Sequence, residues 1–203
     1  MPPPPTKRQR TEDASITRSK VWYKDGSVVL QAESTQFRVH WGVLSENSTF
    51  FRGLEDLPQP SDQPTVDGCP IVELPDAVID VEYLLKALYD PTFLAQTELP
   101  LEAVGALVRL GRKYEFKNLL DSAVARVMFE YPMTLQDFDK WNALPTSRIL
   151  DCPGFIPDLI TLARENDIVS ALPVGYYRFA RCDIVSSSVG DMICYCVRYF
   201  ETG

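Results

Sequence analysis

At 203 residues, with 45% hydrophobic and 24% charged side chains, the chain has the composition of one globular domain, or of a domain with an extension. No run of about 18 apolar residues exists to cross a membrane. The start, MPPPPTKRQRTED, lacks the apolar segment of a secretory signal, which points to nucleus or cytoplasm and to five cysteines held as free thiols. Lys7, Arg8, Arg10, Arg18 and Lys20 outweigh Glu12 and Asp13, so residues 1–20 carry +3 and the remainder −11 of a net −8. A body that acidic repels phosphate, which argues against direct nucleic-acid binding.

Residues 1–20 lack apolar periodicity and read as a disordered basic, proline-rich tail. Within it, Lys7, Arg8 and Arg10 form a candidate nuclear-import signal, a short basic run suited to an acidic receptor groove. Order is expected from residue 21. In SVVLQAE, Val28, Leu30 and Ala32 alternate as a strand requires, Ser34 and Thr35 supply a turn, and QFRVH alternates again. The period then changes: Val43 and Leu44, followed by Phe50, Phe51 and Leu54, suit two short helices, with the Ser48 hydroxyl capping the second. Pro58–Gly68 is dense in breakers and reads as an exposed loop. CPIVELP reads as a buried third strand between prolines.

Helical spacing dominates from there. Asp80 is the expected cap of a helix carrying Val81, Leu84, Leu85 and Leu88, stopped at Asp90–Pro91. Pro100 suits the first turn of the next helix, where Leu101, Val104, Leu107 and Val108 share a face. A third carries Leu120, Val124, Val127 and Met128. Beyond Pro132 the pattern predicts helical pieces at Leu135–Leu144, Ile156–Glu165 and Ile168–Leu172, and one from Pro173. The last stretch, DMICYCVRYFETG, stops soon after an aromatic run, as in a chain cut short.

FRVHWGVLSENSTFFRGL resembles the BTB/POZ signature F-x-V-H-[KR]-x-[VIL]-L-x-x-x-S-x-x-F, with Phe37, Val39, His40, Val43, Leu44, Ser48 and Phe51 at its matching positions. IVELPD is similar to that family's third strand, LLKALYDP to the end of its next helix, and LVRLGRKYEFKNL to a later helix pair. The resemblance implies an α+β fold: a small three-stranded sheet flanked by a cluster of short helices, then an all-helical extension. It divides the chain into a tail at 1–20, a BTB/POZ domain at 21–132 and the extension at 133–203. The whole is similar to fungal, basidiomycete-type BTB proteins with a helical C-terminal extension.

His40 is the chain's one histidine. The resemblance implies a structural ring, partly buried and bonded to neighbouring backbone. Elementary chemistry agrees, because a metal site needs further ligands at defined spacing. A Cys–His pair with Cys69, Cys152, Cys182, Cys194 or Cys196 would lack an orienting third group. Cys194 and Cys196 have the wrong spacing for a zinc knuckle. Gly105 and Gly111 fall within a helix pattern rather than in a phosphate loop. No catalytic, cofactor-binding or metal-binding residue is identified.

The expected function is therefore non-catalytic: a protein–protein interaction module for homo- or hetero-oligomerisation, acting as adaptor or scaffold, with a role in transcriptional regulation in view. The resemblance implies a second copy or another BTB protein as partner, and a cullin or a corepressor as further ones. The alternative is a substrate receptor for a cullin-type ubiquitin ligase. The sequence departs from the family at three places. Residues 14–24, ASITRSKVWYK, leave no room for the long helix that many family dimers exchange. Trp41 stands where the signature has Lys or Arg. The loop LEDLPQPSDQP lacks a clean hydrophobic-x-Glu motif for cullin binding. Trp22, Tyr23 and Trp41 are accordingly the candidate dimer contacts.

Overall fold

The structure is a computed structural model and describes residues 16–55, 57, 64–143, 147–150 and 154–186. Its centre is a hairpin. Strands β2 (Val28–Ala32) and β3 (Thr35–Val39) run antiparallel, pairing Leu30 with Phe37 and Val28 with Val39. The tight turn between them uses Glu33 at φ +50, so the turn falls one residue earlier than expected. Val28, Leu30, Ala32, Phe37 and Val39 are all fully buried. These residues share the face turned to the core, and Val29 on the other face of β2 is fully buried as well.

Among the described residues the sheet has five strands in the order β1-β3-β2-β5-β4, two more than expected. Strand β5 (Cys69–Leu74) runs parallel to β2. It is buried at Cys69 and Leu74, half-buried at Pro70, Ile71 and Val72 and exposed at Glu73, so the expectation of a buried third strand holds in part. Within the segment read as a loop, Thr65–Val66 forms β4 and pairs with Pro70 and Cys69; residues 58–63 lie outside the described set. At the other edge β1 (Thr17–Trp22) runs parallel to β3. The tail therefore ends before Thr17, and Arg18 and Lys20 belong to the sheet. Backbone pairing to the open edge of β3 needs no side-chain alternation, and TRSKVW has none to show. A register irregularity between Arg18 and Trp22 and the charges at Arg18 and Lys20 suit an edge position.

Helices α1 (Trp41–Asn47) and α2 (Thr49–Glu55) follow the hairpin, and α3 (Val78–Tyr89) follows β5. Asp80 does not cap α3. The cap position is Ala77, and Asp80 sits in the first turn, where Arg109 grips it with two hydrogen bonds of 2.8 Å. Asp90 ends α3 and caps the short α4 (Pro91–Ala95), its carboxylate accepting from the Thr92 amide. Helices α5 (Leu101–Lys113) and α6 (Lys117–Glu130) form a close hairpin. A Cβ built on Gly111 would lie 3.1–3.2 Å from Leu120, so a larger residue would push the two helices apart by a few tenths of an ångström.

Past Pro132 come α7 (Leu135–Ala143), α8 (Phe155–Glu165), a short 3-10 turn (Val169–Ala171) and α9 (Leu172–Ser186). These pieces are no separate layer. Ile149, Phe155, Ile156, Leu159 and Ile168 belong to the same buried cluster as Phe37, Leu84 and Val104. Gly175 lets α9 seat closely, since a Cβ there would lie 2.9 Å from Ile160 and 3.1 Å from the Tyr131 ring.

A short extended strap, Ser147–Leu150, joins the two parts. Leu99 donates to Arg148 O at 3.1 Å and accepts from the Leu150 amide at 2.8 Å. Two side chains of α6 fix this seam. The Glu130 carboxylate, fully buried, accepts from the Arg148 amide at 2.7 Å and from Ser147 Oγ at 2.6 Å. Arg126 donates to four carbonyls, of Leu94, Gln96, Thr97 and Arg148, at 2.8–3.0 Å. Burial, with a smaller contribution from nearby Arg148, pulls its guanidinium below the ordinary arginine value.

Candidate functional site

The signature residues divide between core and surface. Phe37, Val39, Leu44 and Phe51 are fully buried, and Val43 is half-buried. Ser48, 1% exposed, accepts from the Phe51 amide at 3.0 Å, as expected of a cap, and donates to Tyr114 O at 2.5 Å. One hydroxyl thereby fastens α2 to the end of α5. The Tyr114 phenol donates in turn to Asp76, which also pairs with Lys113 at 2.7 Å. Burial first, then the Asp76 carboxylate, pushes Tyr114 far above the usual tyrosine value.

His40 ends the second hairpin strand and precedes α1. Its backbone N–H donates to Tyr89 Oη at 2.9 Å, and Nδ1 lies 3.2 Å from the same oxygen. A hydroxyl that accepts from the amide retains its proton for Nδ1, which leaves Nε2–H to face Asp25 Oδ2 at 3.3 Å. The ring's partners are thus side chains, and the expectation of neighbouring backbone is corrected: Tyr89 arrives from α3, 49 residues away. Asp25 is held below the usual carboxylate value by a backbone hydrogen bond of its own and then by His40. Burial raises the Tyr89 phenol, opposed by the His40 amide.

Three aromatic side chains frame this corner. Tyr23 stacks on Tyr89 with ring centres 4.7 Å apart and lies 5.2 Å from His40. Trp41 opens α1, its amide donating to Ser27 Oγ at 2.9 Å and its indole meeting Phe51 edge-on at 6.4 Å. Tyr23 and Trp41 both pack partly against the chain's own core. Trp22, at the end of β1, is half-buried with the Arg18 guanidinium 4.4 Å above its ring. One atom stands out. Trp41 Nε1 is buried and has no acceptor among the described residues, and such a donor costs roughly 1–3 kcal/mol until something accepts from it.

Among the described residues no three His, Cys, Asp or Glu side chains gather where they could hold a metal, and no helix is long and apolar enough to cross a membrane. Cys69 is buried with its thiol 3.1 Å from Gly26 O. Cys152, Cys194, Cys196 and the Cys182 side chain lie outside the described residues, as do Lys7, Arg8 and Arg10.

Tyr89 and Asp25 escaped the sequence reading. Tyr89 stands in the LLKALYDP block, but helical periodicity assigns it only to a half-buried position and says nothing of His40. Tyr89→Phe should lower stability by roughly 1–3 kcal/mol, because it strips the partner from a part-buried amide as well as from the imidazole. His40→Ala should cost less, since that amide remains satisfied. Denaturant unfolding of both variants gives the order, and equal losses would show that the ring matters more than the amide.

The BTB/POZ domain family model matches residues 24–127, just over half of the chain. Among curated proteins, none matches it.

Proposed function

This chain belongs to the BTB/POZ domain family, and from that premise we propose that it is an adaptor or scaffold that pairs through Trp22, Tyr23 and Trp41. BTB/POZ domains are protein–protein interaction modules that commonly self-associate or bind other BTB proteins, and they are generally not enzymes. The chain's partner is a second copy of itself or another BTB protein. The observation that carries the reading is Trp41 itself, half-buried at the start of α1 where the family signature has a cation, with an indole N–H that finds no acceptor among the described residues. A partly exposed aromatic that can bury further area against a partner is a common interface anchor.

Light scattering of the wild type at tens of micromolar should give a dimer. Trp41→Arg should return it to monomer with helix content intact, because the variant keeps the fold but removes the aromatic contact. A wild type that runs as a monomer would sink self-association and leave another BTB protein as the partner.

A second reading, a substrate receptor for a cullin-type ubiquitin ligase, draws on Phe50 (42% exposed) and Leu57 (57% exposed), on and just after α2. Phe50 precedes, and Leu57 lies within, the loop where cullin-binding members carry their hydrophobic-x-Glu motif. Affinity purification from the native cell, scored for a cullin, a corepressor or the chain itself, separates the two readings. Nuclear work is proposed from Lys7, Arg8 and Arg10. A reporter fused to residues 1–20 should enter the nucleus and lose entry when those three become alanine; a wild-type fusion that stays cytoplasmic would remove the nuclear assignment.

A further inference from the structure

Strand β1 closes one end of the sheet, and among the described residues no strand pairs with its outer side. Thr17 and Tyr23 send their amides inward, to Ser34 O at 2.7 Å and Arg38 O at 2.9 Å. Strand alternation therefore turns the backbone groups of Arg18, Lys20 and Trp22 outward. The irregular register is taken up on the inner side, where the Val21 amide donates to Ser19 Oγ at 3.2 Å. The two faces of the strand also differ. Val21 and Tyr23 pack against the core, whereas Arg18 lies 4.4 Å over the Trp22 ring on the other face and Lys20 is exposed. Arg18 pairs with Asp67 at 3.2 Å, while Lys20 and Lys24 have no ion pair among the described residues.

We propose that the outer edge of β1 receives an extended, acidic segment of a partner protein as a further strand of the sheet, a contact that does not depend on the pairing of Trp41. An unpaired strand edge presents its backbone to any extended chain, and side chains select among the guests. Between Thr17 and Lys24 the selection is by sign, for the stretch holds Arg18, Lys20 and Lys24 and no acid. The rest of the body is acidic, but screening confines its field to about 8–10 Å near physiological salt, so the cations of β1 set the sign at this edge. A second copy is the wrong occupant. Laid antiparallel, two β1 strands would face Arg18 and Lys20 with the same cations, and like charges opposite each other destabilise a strand pair. The two faces of the strand also fix the order of residues in the guest. Carboxylates belong on the side of Arg18 and Lys20 and apolar side chains on the side of Val21 and Tyr23, which calls for strict acid–apolar alternation.

The full chain is titrated into a labelled peptide of alternating glutamate and valine, with fluorescence anisotropy as the readout. The peptide should bind saturably, and about tenfold more tightly than one of the same composition with its glutamates and valines in two blocks. Lys20→Glu, at an exposed position, should weaken binding about tenfold with helix content and unfolding midpoint unchanged. Hydrogen exchange gives the backbone reading: the peptide should slow the Arg18 and Trp22 amides, and a version N-methylated at every amide should not. Failure of the alternating peptide to bind, equal binding of the block peptide, or unchanged exchange at Arg18 and Trp22 would overturn the proposal. A single-stranded oligonucleotide that displaces the peptide from this edge would overturn it as well, since phosphate would then be the better match.

Discussion

Phe51→Ala should lower the unfolding free energy by about 3–5 kcal/mol, the range for removing a buried aromatic whose surroundings cannot close the hole. Phe51 is fully buried, and its neighbours are rings: Trp41 at 6.4 Å, Phe50 at 5.3 Å, Tyr114 at 5.5 Å and Phe116 at 5.7 Å. Those four come from α1, α2 and the α5–α6 turn, so no single side-chain shift can fill the space. The midpoint of denaturant unfolding should fall with little change of slope. A loss below about 1 kcal/mol would mean that the elements slide together after all. Because the Trp41 indole rests on Phe51, the variant should also weaken self-association where it still folds.

Arg126→Met should cost about 3 kcal/mol, with the damage concentrated at the seam between the two parts. Hydrogen bonds from a charged donor contribute roughly 1.5–3 kcal/mol each when taken singly, and they do not add. The four carbonyls under Arg126 share one guanidinium, and those near the surface regain water when it leaves. Methionine keeps most of the stem's packing and deletes every donor. Hydrogen exchange should quicken at the amides of Leu99 and Leu150, which close the strap, while the hairpin amides of β2 and β3 keep their protection. Uniform quickening across the sheet would instead make Arg126 a determinant of global stability alone.

The legible parts of the fold were those written in local pattern. Val28, Leu30 and Phe37 alternate, Leu84, Leu85 and Leu88 follow a helical stripe, and Ser48 precedes the amide it caps by three residues. What stayed hidden acts across long separations or through the backbone. Arg126 binds only carbonyls, which carry no side-chain signature, and Glu130 binds an amide 18 residues ahead. Asp80 looked like a cap because its partner Arg109 lies 29 residues on. Strand β1 has no pattern of its own and exists because β3 offers it an edge. At the candidate site, position and residue type were visible for Trp22, Tyr23 and Trp41, whereas the Tyr89 hydroxyl that orders His40 was not.

The strap at Ser147–Leu150 also sets a timetable for synthesis. Every residue that matches the family has been joined by position 127, yet the amides that satisfy Glu130 and the partner of Leu99 arrive only with Arg148 and Leu150. At ~5–20 residues per second, the ribosome takes about 1–5 s to add them. For that interval the nascent domain holds a carboxylate and a strand edge that the finished chain buries. Vectorial folding of this protein therefore runs past the domain boundary, through the strap and on to the helices that complete the core, and a pause in translation between those positions is where quality control would meet it.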